Sequence, residues 1–332
     1  MARSAVPWVK RGARSAKPVT AILSIIFPIY GAIAIGYLAV SRRWFSAADM
    51  RVLGRYVLDI ALPALLFNAV ATRDLGDVLR FDYMAVYLTG GLAIIAVSYL
   101  WFSFAAPDKP RRAIAVMGAS SPNSGYIGYP VMLLVFPDLA GVILALNMLV
   151  ENIILVPICL ILMDLARPHD GVSIPRRVGR ILLGVIKRPM VQGLLLGVAF
   201  SLSGLHLPEA AGRLFQMLAA SAAALSLFAI GGSLVGLPMR GNRMRAAQIA
   251  VGKLLVHPVL TAAIAAGLAA LGWIMLPTDL YAAVILSTAM PMFGIYTVLA
   301  QELELEGLAS IAMLAATTGG FFTLSAALYW LA

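Results

Sequence analysis

The sequence is poor in charge and nearly free of cysteine. Only 12% of its 332 residues are Asp, Glu, Lys or Arg, about half of the roughly 25% typical of a soluble globular domain. Apolar residues make up 61%, so a water-soluble fold would lack polar surface. The single cysteine, Cys159, excludes an intramolecular disulfide framework and an all-cysteine metal site. The composition therefore predicts a polytopic membrane protein.

The motifs of enzymes and of ATP-driven pumps are also missing. The three histidines, His169, His206 and His257, fall in different segments, and neither H-E-x-x-H nor G-x-S-x-G occurs. There is no Walker A pattern and no pair of aspartates within the apolar segments. We therefore expect a protein that is not an enzyme, uses no metal or cofactor and does not hydrolyse ATP.

Ten apolar stretches have the length of about 20 residues that crosses a bilayer as a helix. Together they leave no room for a soluble domain. The predicted spans are 20–40, 52–71, 83–104, 113–136, 140–165, 190–207, 214–237, 246–271, 280–299 and 308–331. The predicted organisation is a basic tail (1–19), a five-helix repeat (20–165), a basic cytoplasmic linker (166–189) and a second five-helix repeat (190–332).

Basic residues are unevenly distributed between alternate loops. One set of loops holds most of the Lys and Arg, whereas the other holds only Arg73, Arg80 and Arg213. Because such bases remain cytoplasmic, we expect both termini to lie outside the plasma (inner) membrane. The basic tail opposes this orientation, and its lack of acidic residues also allows an organelle-targeting segment.

The Lys and Arg residues of the chain form short clusters between apolar runs instead of one polar basic domain, and one of these clusters lies in the linker. Val178, Ile181, Leu182 and Val185 recur at helical spacing within it, which predicts an amphipathic helix lying on anionic inner-leaflet lipids. A solvated basic linker with a short amphipathic turn is an equal alternative. We therefore attribute the net charge of +10 to contacts with anionic lipids and to the orientation of the chain in the membrane. Nucleic acid is not an expected partner.

The two halves share a Pro-x-x-Gly motif in the middle of the fourth and ninth spans. Pro122 and Gly125 lie 169 residues before Pro291 and Gly294 (291 − 122 and 294 − 125). Since each half contains an odd number of spans, the second copy enters from the opposite side and the repeat is inverted. The predicted fold is therefore an all-α integral membrane protein with ten transmembrane helices in two inverted repeats.

Proline and glycine inside a span interrupt the helix, at a cost of about 3 kcal/mol or more for proline. Unwound backbone at membrane depth is tolerated where it lines a wet cavity or is enclosed by protein. Two matched interruptions therefore predict a central site, where half-helix N-termini favour an anion. Proline kinks that serve only packing are the alternative. The predicted substrate-binding residues are Ser120, Ser121, Pro122, Asn123, Ser124, Gly125, Tyr126, Asn147, Glu151, Pro291, Met292, Phe293 and Gly294.

Few ionisable residues lie inside the spans, and each is costly there. Glu151 is predicted to face the cavity as a proton-coupling or substrate-orienting group, or else to be a neutral clamp between helices. Asp59, a second proton-coupling candidate, follows Arg55 by four residues, so an ion pair between them is favoured. Lys253 shares a helix face with His257 and is expected to snorkel to the cytoplasmic interface in preference to attracting the anion.

Three segments resemble the auxin efflux carrier family. They are residues 118–130 (GASSPNSGYIGYP), residues 57–67 (VLDIALPALLF) and residues 289–294 (AMPMFG), the last followed by Gln301 and Glu302. The family includes the plant PIN-type auxin exporters and bacterial permeases annotated for malonate or malate. The resemblance extends from about the first span to the C-terminus.

The resemblance implies a fold akin to that of bile acid/sodium symporters, in which a transport domain moves against a scaffold like an elevator. It also implies that Pro122 and Pro291 mark crossing helices and that Asn123 helps to hold a substrate carboxylate. A homodimer is compatible with it. The long cytoplasmic loop of the plant exporters is replaced here by the short linker, so their phosphorylation control is not expected.

The expected function is secondary transport of a small organic anion, a carboxylate or dicarboxylate. An inside-negative potential of about 100 mV repels an anion by about 2.3 kcal/mol per charge, which is sufficient to drive efflux by uniport. Proton- or sodium-coupled uptake, a channel, and a ligand-binding sensor without transport are the alternatives.

Overall fold

The computed structural model describes residues 18–73, 76, 79–167, 174–238 and 241–331, and the regular structure in these ranges is helical apart from one isolated bridge. We number the helices α1 to α13. They are α1 (Pro18–Ser41), α2 (Ala47–Ala71), α3 (Phe81–Ala105), α4 (Lys109–Ser120), α5 (Ser124–Val135), α6 (Ala140–Leu165), α7 (Ile174–Ile186), α8 (Pro189–Leu202), α9 (Glu209–Ser233), α10 (Arg243–Ala270), α11 (Thr278–Ala289), α12 (Tyr296–Gln301) and α13 (Glu306–Leu331).

Within the described residues, seven helices are long and apolar enough to cross a membrane: α1, α2, α3, α6, α9, α10 and α13. An eighth crossing results if α7 and α8, which meet at an angle of 65°, form one bent span. The shorter α5 and α11 are also apolar. The all-helical membrane architecture predicted from the composition is confirmed. The number of long helices is below ten because the fourth, sixth and ninth apolar stretches are occupied by shorter helices.

Helix starts follow from short polar side chains that cap free backbone N–H groups. The Ser46 hydroxyl accepts from the Asp49 N–H at the start of α2, and the Asp49 carboxylate accepts from the Ser46 N–H in return. Asp108 caps α4 by accepting from the Arg111 N–H at 2.8 Å. Asn242 caps α10 in the same way. Each cap lies just outside an apolar stretch and so fixes where the chain enters a helix.

Four turns inside these helices are widened to π-helical geometry, and each is followed by an X-Pro step. Because proline has no N–H and its ring clashes with the preceding turn, a widened turn relieves an otherwise broken hydrogen-bond ladder. The π turns are Val57–Ala61, Ser124–Gly128, Glu151–Leu155 and Gly252–Val256, followed by Pro63, Pro130, Pro157 and Pro258. Because a π turn holds an extra residue, the side chains after it are rotated about the helix axis relative to those before it.

Helices α1, α2, α8 and α9 pack closely together, and the remaining long helices surround the other side of the molecule. Glycine permits the closest approach, between α1 and α9. A Cβ at Gly231 would lie 1.9 Å from the Ile33 carbonyl oxygen, and one at Gly36 would lie 2.1 Å from that of Phe228. These two helices therefore touch backbone to backbone, as small residues allow in membrane proteins.

The predicted linker helix is present as α7, with Val185 buried and Leu182 exposed. Its placement on a lipid surface stays a prediction. Residues 1–17 and 168–173 lie outside the described residues, so the basic tail and the first part of the linker are not compared with their predictions.

Candidate functional site

Two non-helical stretches, each between two helices, lie against one another in the structure. α4 ends at Ser120 and α5 begins at Ser124, whereas α11 ends at Ala289 and α12 begins at Tyr296. The intervening strand-like residues pair in antiparallel fashion through a bridge between Pro122 and Met292.

The backbone groups of this bridge satisfy one another. The Asn123 N–H donates to the Pro291 carbonyl oxygen at 2.8 Å, and the Phe293 N–H donates to the Ser121 carbonyl oxygen at 3.2 Å. Both prolines lack an N–H, so the donors come from Asn123, directly after Pro122, and from Phe293, two residues after Pro291. Buried backbone polar groups must be paired, and here the two interruptions supply each other's partners.

The Asn123 side chain makes only part of its hydrogen bonds. Its Oδ1 accepts from the Tyr126 N–H at 3.0 Å and so caps α5. Its Nδ2 has no hydrogen-bond partner, although the residue is only 4% exposed. An unpaired buried donor costs about 1 to 3 kcal/mol. The Nδ2 group is therefore an unsatisfied hydrogen-bond donor, and the described side chains provide no acceptor for it.

A cavity of about 660 Å³ opens beside this amide. It is bounded by α2, α9, the start of α8 and the π turn of α6. The remaining boundary is formed by the two paired non-helical stretches, residues 121–123 and 290–295, which we call the crossing. Of the predicted site residues, those lining it are Ser120, Ser121, Pro122, Asn123, Ser124, Gly125, Tyr126, Glu151, Phe293 and Gly294. Apolar side chains form much of the rest of the wall, including Leu58, Leu62, Met148 and Ile230. The volume of this cavity and its mixture of apolar and polar lining residues are typical of a site for a small organic molecule.

Three predicted site residues lie beside the cavity without lining it. Pro291 and Met292 contribute backbone to the crossing, and the Met292 side chain is buried. Asn147 lies deeper, one turn before Glu151 on α6.

Glu151 is buried, lines the cavity and is held by two hydroxyl groups. Its Oε1 accepts from the Tyr87 hydroxyl of α3 and from the Ser124 hydroxyl at the start of α5. The carboxyl group therefore faces the cavity and also joins α6 to α3 and α5. Its role in proton coupling or substrate orientation stays a prediction.

Asn147 belongs to a second group of buried hydrogen bonds, separate from that of Glu151. Its Oδ1 accepts from the Tyr83 hydroxyl at 2.9 Å, and its Nδ2 donates to the Ser287 hydroxyl of α11 at 3.0 Å. The Tyr83 and Tyr87 rings stack with centroids 6.1 Å apart. The hydrogen bonds of Asn147 thus join α6 to α3 and to Ser287, close to the end of α11.

The predicted ion pair between Arg55 and Asp59 does not form in the part of the chain that the structure describes. The π turn that begins at Val57 separates the two residues and changes their relative register. Both line the cavity, together with Arg51 and Arg188. The cavity wall thus carries three guanidinium groups and two carboxyl groups, those of Asp59 and Glu151.

The prediction that Lys253 snorkels to the interface is wrong. Its side chain is fully buried, and Nζ donates to the Thr288 carbonyl oxygen at 2.6 Å and lies 3.1 Å from Nδ1 of His257. The π turn Gly252–Val256 carries Lys253 toward the end of α11. A free carbonyl at a helix end is a strong acceptor for an ammonium group, which explains the inward orientation.

Sequence reasoning missed Tyr83, Tyr87, Asn152 and Arg188. The two tyrosines are four residues apart on an apolar span, so their shared helix face was a usable signal. Arg188 precedes α8 and donates through Nη1 to Asn152 Oδ1 at 3.1 Å, and both residues line the cavity. Because Arg188 belongs to the basic residues of the predicted linker, its sequence position gave no sign that it lines the cavity. Across the described ranges, no three His, Cys, Asp or Glu residues group closely enough to hold a metal ion.

Comparison with known proteins matches most of the chain. The profile of a family described as "Membrane transport protein" covers residues 21–329. The uncharacterized transporter YfdV of Escherichia coli K12 is 25% identical over 218 residues, which is 64% of this chain and 68% of that protein. A putative malonate transporter of Rhizobium meliloti is 25% identical over 244 residues, 72% of this chain and 75% of its own length. An uncharacterized transporter of Methanothermobacter thermautotrophicus is 25% identical over 276 residues, 82% and 86% of the two chains.

Proposed function

Because the chain belongs to the membrane transport protein family, the auxin efflux carrier family, we propose that it is a secondary transporter that moves a small organic anion through the central cavity. Membership agrees with the resemblance seen in the sequence. The family consists of membrane transporters and not of enzymes, and the chain is an integral membrane protein. Substrate, coupling and direction are the proposed parts.

The unpartnered Nδ2 of Asn123 is the observation that carries the proposal. A substrate carboxylate supplies the missing acceptor, and a hydrogen bond to a charged group is stronger than one between neutral groups. The hydroxyl of Ser121 and the N-terminal end of α5 border the same space. Helix N-termini favour negative charge, so these groups fit a carboxylate.

A dicarboxylate is the substrate class that the remaining charges favour. Arg188 uses one of its donors on Asn152, and a guanidinium group has further donors suited to carboxylate oxygens. With Asn123 holding one carboxylate, Arg188 is assigned the second. The named malonate transporter among the relatives supports this choice. The apolar walls around Leu58 and Leu62 contact the carbon skeleton.

The proposed topology has ten spans in two inverted repeats. α4 with α5 and α11 with α12 each form one interrupted span, and α8 forms the sixth despite its 14 residues. Both termini then lie outside the plasma membrane, and α7 rests on anionic lipids of the inner leaflet. A homodimer is part of the proposal, since family resemblance is compatible with one.

Alternating access follows from the two packed groups of helices. α1, α2, α8 and α9 are the proposed scaffold, and the helices that carry the crossing move against them in an elevator-like manner. Glu151 is the proposed proton-coupling group and Asp59 the second candidate. Without coupling, the membrane potential drives efflux of the anion.

The proposal is tested by flux of carboxylates into proteoliposomes. A thermal-shift screen of purified protein against mono- and dicarboxylates first identifies an anion that stabilises the folded state. Uptake of that radiolabelled anion should saturate with its concentration, as expected of a carrier. Flux proportional to concentration indicates a channel instead, and stabilisation without flux indicates a sensor. Absence of both for all carboxylates contradicts the proposal.

A further inference from the structure

Tyr126 is a predicted site residue whose polar groups are all engaged elsewhere in the protein. Its side chain lines the cavity, yet its hydroxyl donates to the Gly54 carbonyl oxygen of α2 at 2.7 Å. Its carbonyl oxygen accepts from the Ser226 hydroxyl of α9 at 2.9 Å. Its N–H donates to Asn123 Oδ1 at 3.0 Å. One residue therefore binds two helices of the proposed scaffold and also the side chain that is proposed to hold the substrate.

The local sequence explains why these groups meet. In a regular α-helix the Tyr126 carbonyl oxygen accepts from the N–H four residues later, but this position is Pro130, which has no N–H. The Ser226 hydroxyl supplies a donor from α9. On α2, a Cβ at Gly54 would lie 3.2 Å from the Tyr126 hydroxyl oxygen. Glycine at this position therefore gives the hydroxyl room to approach the backbone.

Two further hydrogen bonds join the proposed scaffold to the helices that carry the crossing. Arg73 donates to the Asp138 carbonyl oxygen, and Arg188 donates to Asn152. Arg73 does not line the cavity, and Arg188 is assigned to the substrate in the proposed function. The bonds of Tyr126 differ from both because they hold the capped start of α5, where the proposed anion site lies.

The scaffold groups bound by Tyr126 keep another partner when it leaves. The Ser226 hydroxyl also lies 2.9 Å from the Ala223 carbonyl oxygen, and the Gly54 carbonyl oxygen also accepts from the Val57 N–H. A slide of about 3 Å along α2 and α9 takes both Tyr126 bonds beyond hydrogen-bond distance. Because neither scaffold group is then left unpaired, release avoids the cost of a buried polar group without a partner.

We propose that Tyr126 is a positioning residue whose bonds to Gly54 and Ser226, which we call the latch, hold the anion site against the scaffold and must open before the site moves across the membrane. This inference rests on the proposed function, in which the helices that carry the crossing move against α1, α2, α8 and α9. Since the latch fixes the start of α5, it also fixes the position of the Asn123 amide beside the cavity.

The latch stabilises one of the two states of the proposed transport cycle. Arg51, Arg55 and Arg188, bases of the predicted cytoplasmic side, line the cavity, so in the proposed topology this conformation faces inward. Loss of a latch bond therefore favours the outward-facing state.

Labelling of a cysteine from each side of the membrane tests the latch without any substrate. In a Cys159→Ala background, Gly294→Cys places a thiol in open space at the cavity. An impermeant methanethiosulfonate reagent is added to right-side-out and to inside-out membrane vesicles, and the outside rate measures the population of the outward-facing state. Tyr126→Phe should raise the ratio of the outside rate to the inside rate by about three- to tenfold, as expected for the loss of one hydrogen bond.

The same two scaffold helices supply matched controls. The Tyr56 hydroxyl of α2 lies 3.2 Å from the Ser221 hydroxyl of α9, so Tyr56→Phe removes a hydroxyl contact within the scaffold and should leave the ratio unchanged. Ser226→Ala removes the second latch bond and should raise the ratio, with Ser221→Ala as its control. The serine pair decides the question if Tyr126→Phe does not fold.

The ratio separates the latch from a merely structural role. General loosening of the packing would raise labelling from both sides, lower the melting temperature and leave the ratio unchanged. An unchanged ratio in Tyr126→Phe, or an equal rise in Tyr56→Phe, overturns the inference, and saturable carboxylate flux of the wild-type protein then leaves the proposed function intact. Absence of wild-type flux with every carboxylate overturns the proposed function instead.

Discussion

The two halves of the crossing have the same Pro-x-x-Gly spacing but different chemistry. The first half places Ser121, Asn123 and Ser124 at the cavity, and the Asn123 amide has an unused donor. At the position 169 residues later, the second half has Met292, which is buried and contributes only backbone. The first interruption therefore places polar side chains at the cavity, whereas the second contributes mainly backbone at the matching position. In the proposed function, the first interruption recognises the substrate and the second holds it in place.

The buried charges differ in the same way. Glu151 of the first half is bound by hydroxyl groups and borders the cavity, where a proton or substrate has access. Lys253 of the second half is bound by a main-chain carbonyl away from the cavity. The cavity therefore reaches the carboxyl group of Glu151 and does not reach the ammonium group of Lys253.

The largest expected effect is the loss of carboxylate affinity on substitution of Asn123. Asn123→Ala should weaken carboxylate binding by about 10- to 100-fold, since hydrogen bonds to charged groups contribute about 1.5 to 3 kcal/mol. Titration calorimetry with the anion found in the thermal-shift screen measures this. Met292→Leu, at the matching position of the second half, should leave affinity unchanged.

Ser310→Ala is the matched control, because Ser310 also has a buried, unpartnered oxygen but does not line the cavity. Equal losses in Asn123→Ala and Ser310→Ala would show that the asparagine acts only through folding.

Substitution of Arg188 tests whether this residue binds the second carboxylate of the substrate. Arg188→Gln should lower the ratio of dicarboxylate to monocarboxylate affinity by about tenfold, because it removes one charged donor and leaves the Asn123 contact in place. Arg180→Gln serves as the control, since Arg180 is exposed on α7 and does not line the central cavity. An unchanged ratio in Arg188→Gln contradicts the dicarboxylate assignment.

Glu151→Gln tests which of the two carboxyl groups at the cavity, Glu151 or Asp59, titrates during transport. The amide keeps the size of the side chain but does not exchange a proton, so the pH dependence of transport should flatten, with a several-fold loss of flux at the optimum. Asp59→Asn, at an exposed position of the cavity wall, should keep the wild-type pH profile. If the Asp59 variant flattens the profile and the Glu151 variant does not, the two roles are exchanged.

The smallest expected effect concerns the two motif glycines. A Cβ at Gly125 would lie 3.0 Å from Leu62 Cδ1, whereas one at Gly294 would have no atom within 4 Å. Gly125→Ala should therefore destabilise the protein by about 1 kcal/mol, and Gly294→Ala by less than about 0.5 kcal/mol. Thermal unfolding in detergent compares them, and the reverse order would contradict the packing described at the crossing.

Much of the crossing was predictable because local rules determine it. Paired prolines and glycines at equal spacing predicted where the helices stop, and Glu151 stood out as a carboxyl group in an apolar span. The partners of these residues were harder to predict. Tyr87 and Ser124 lie far from Glu151 in the sequence, and apolar periodicity gives no information about which hydroxyl reaches a carboxylate.

The errors at Asp59 and Lys253 share one cause. Both lie in π turns, where the register of the helix changes before a proline. Rules based on four-residue spacing assume a uniform helix, so they gave Asp59 an ion pair that does not form. The snorkelling rule for Lys253 ignored the carbonyl of Thr288, which is contributed by a helix 35 residues later in the sequence.

Protection of a cysteine at the crossing tests the central claim most directly. In a Cys159→Ala background, which removes the single native thiol, Gly294→Cys places a thiol in open space at the cavity. A saturating concentration of the transported carboxylate should slow its reaction with a charged methanethiosulfonate reagent, and this protection should be lost when Asn123→Ala is added. Labelling at the same rate with and without the carboxylate would contradict an anion site at the crossing.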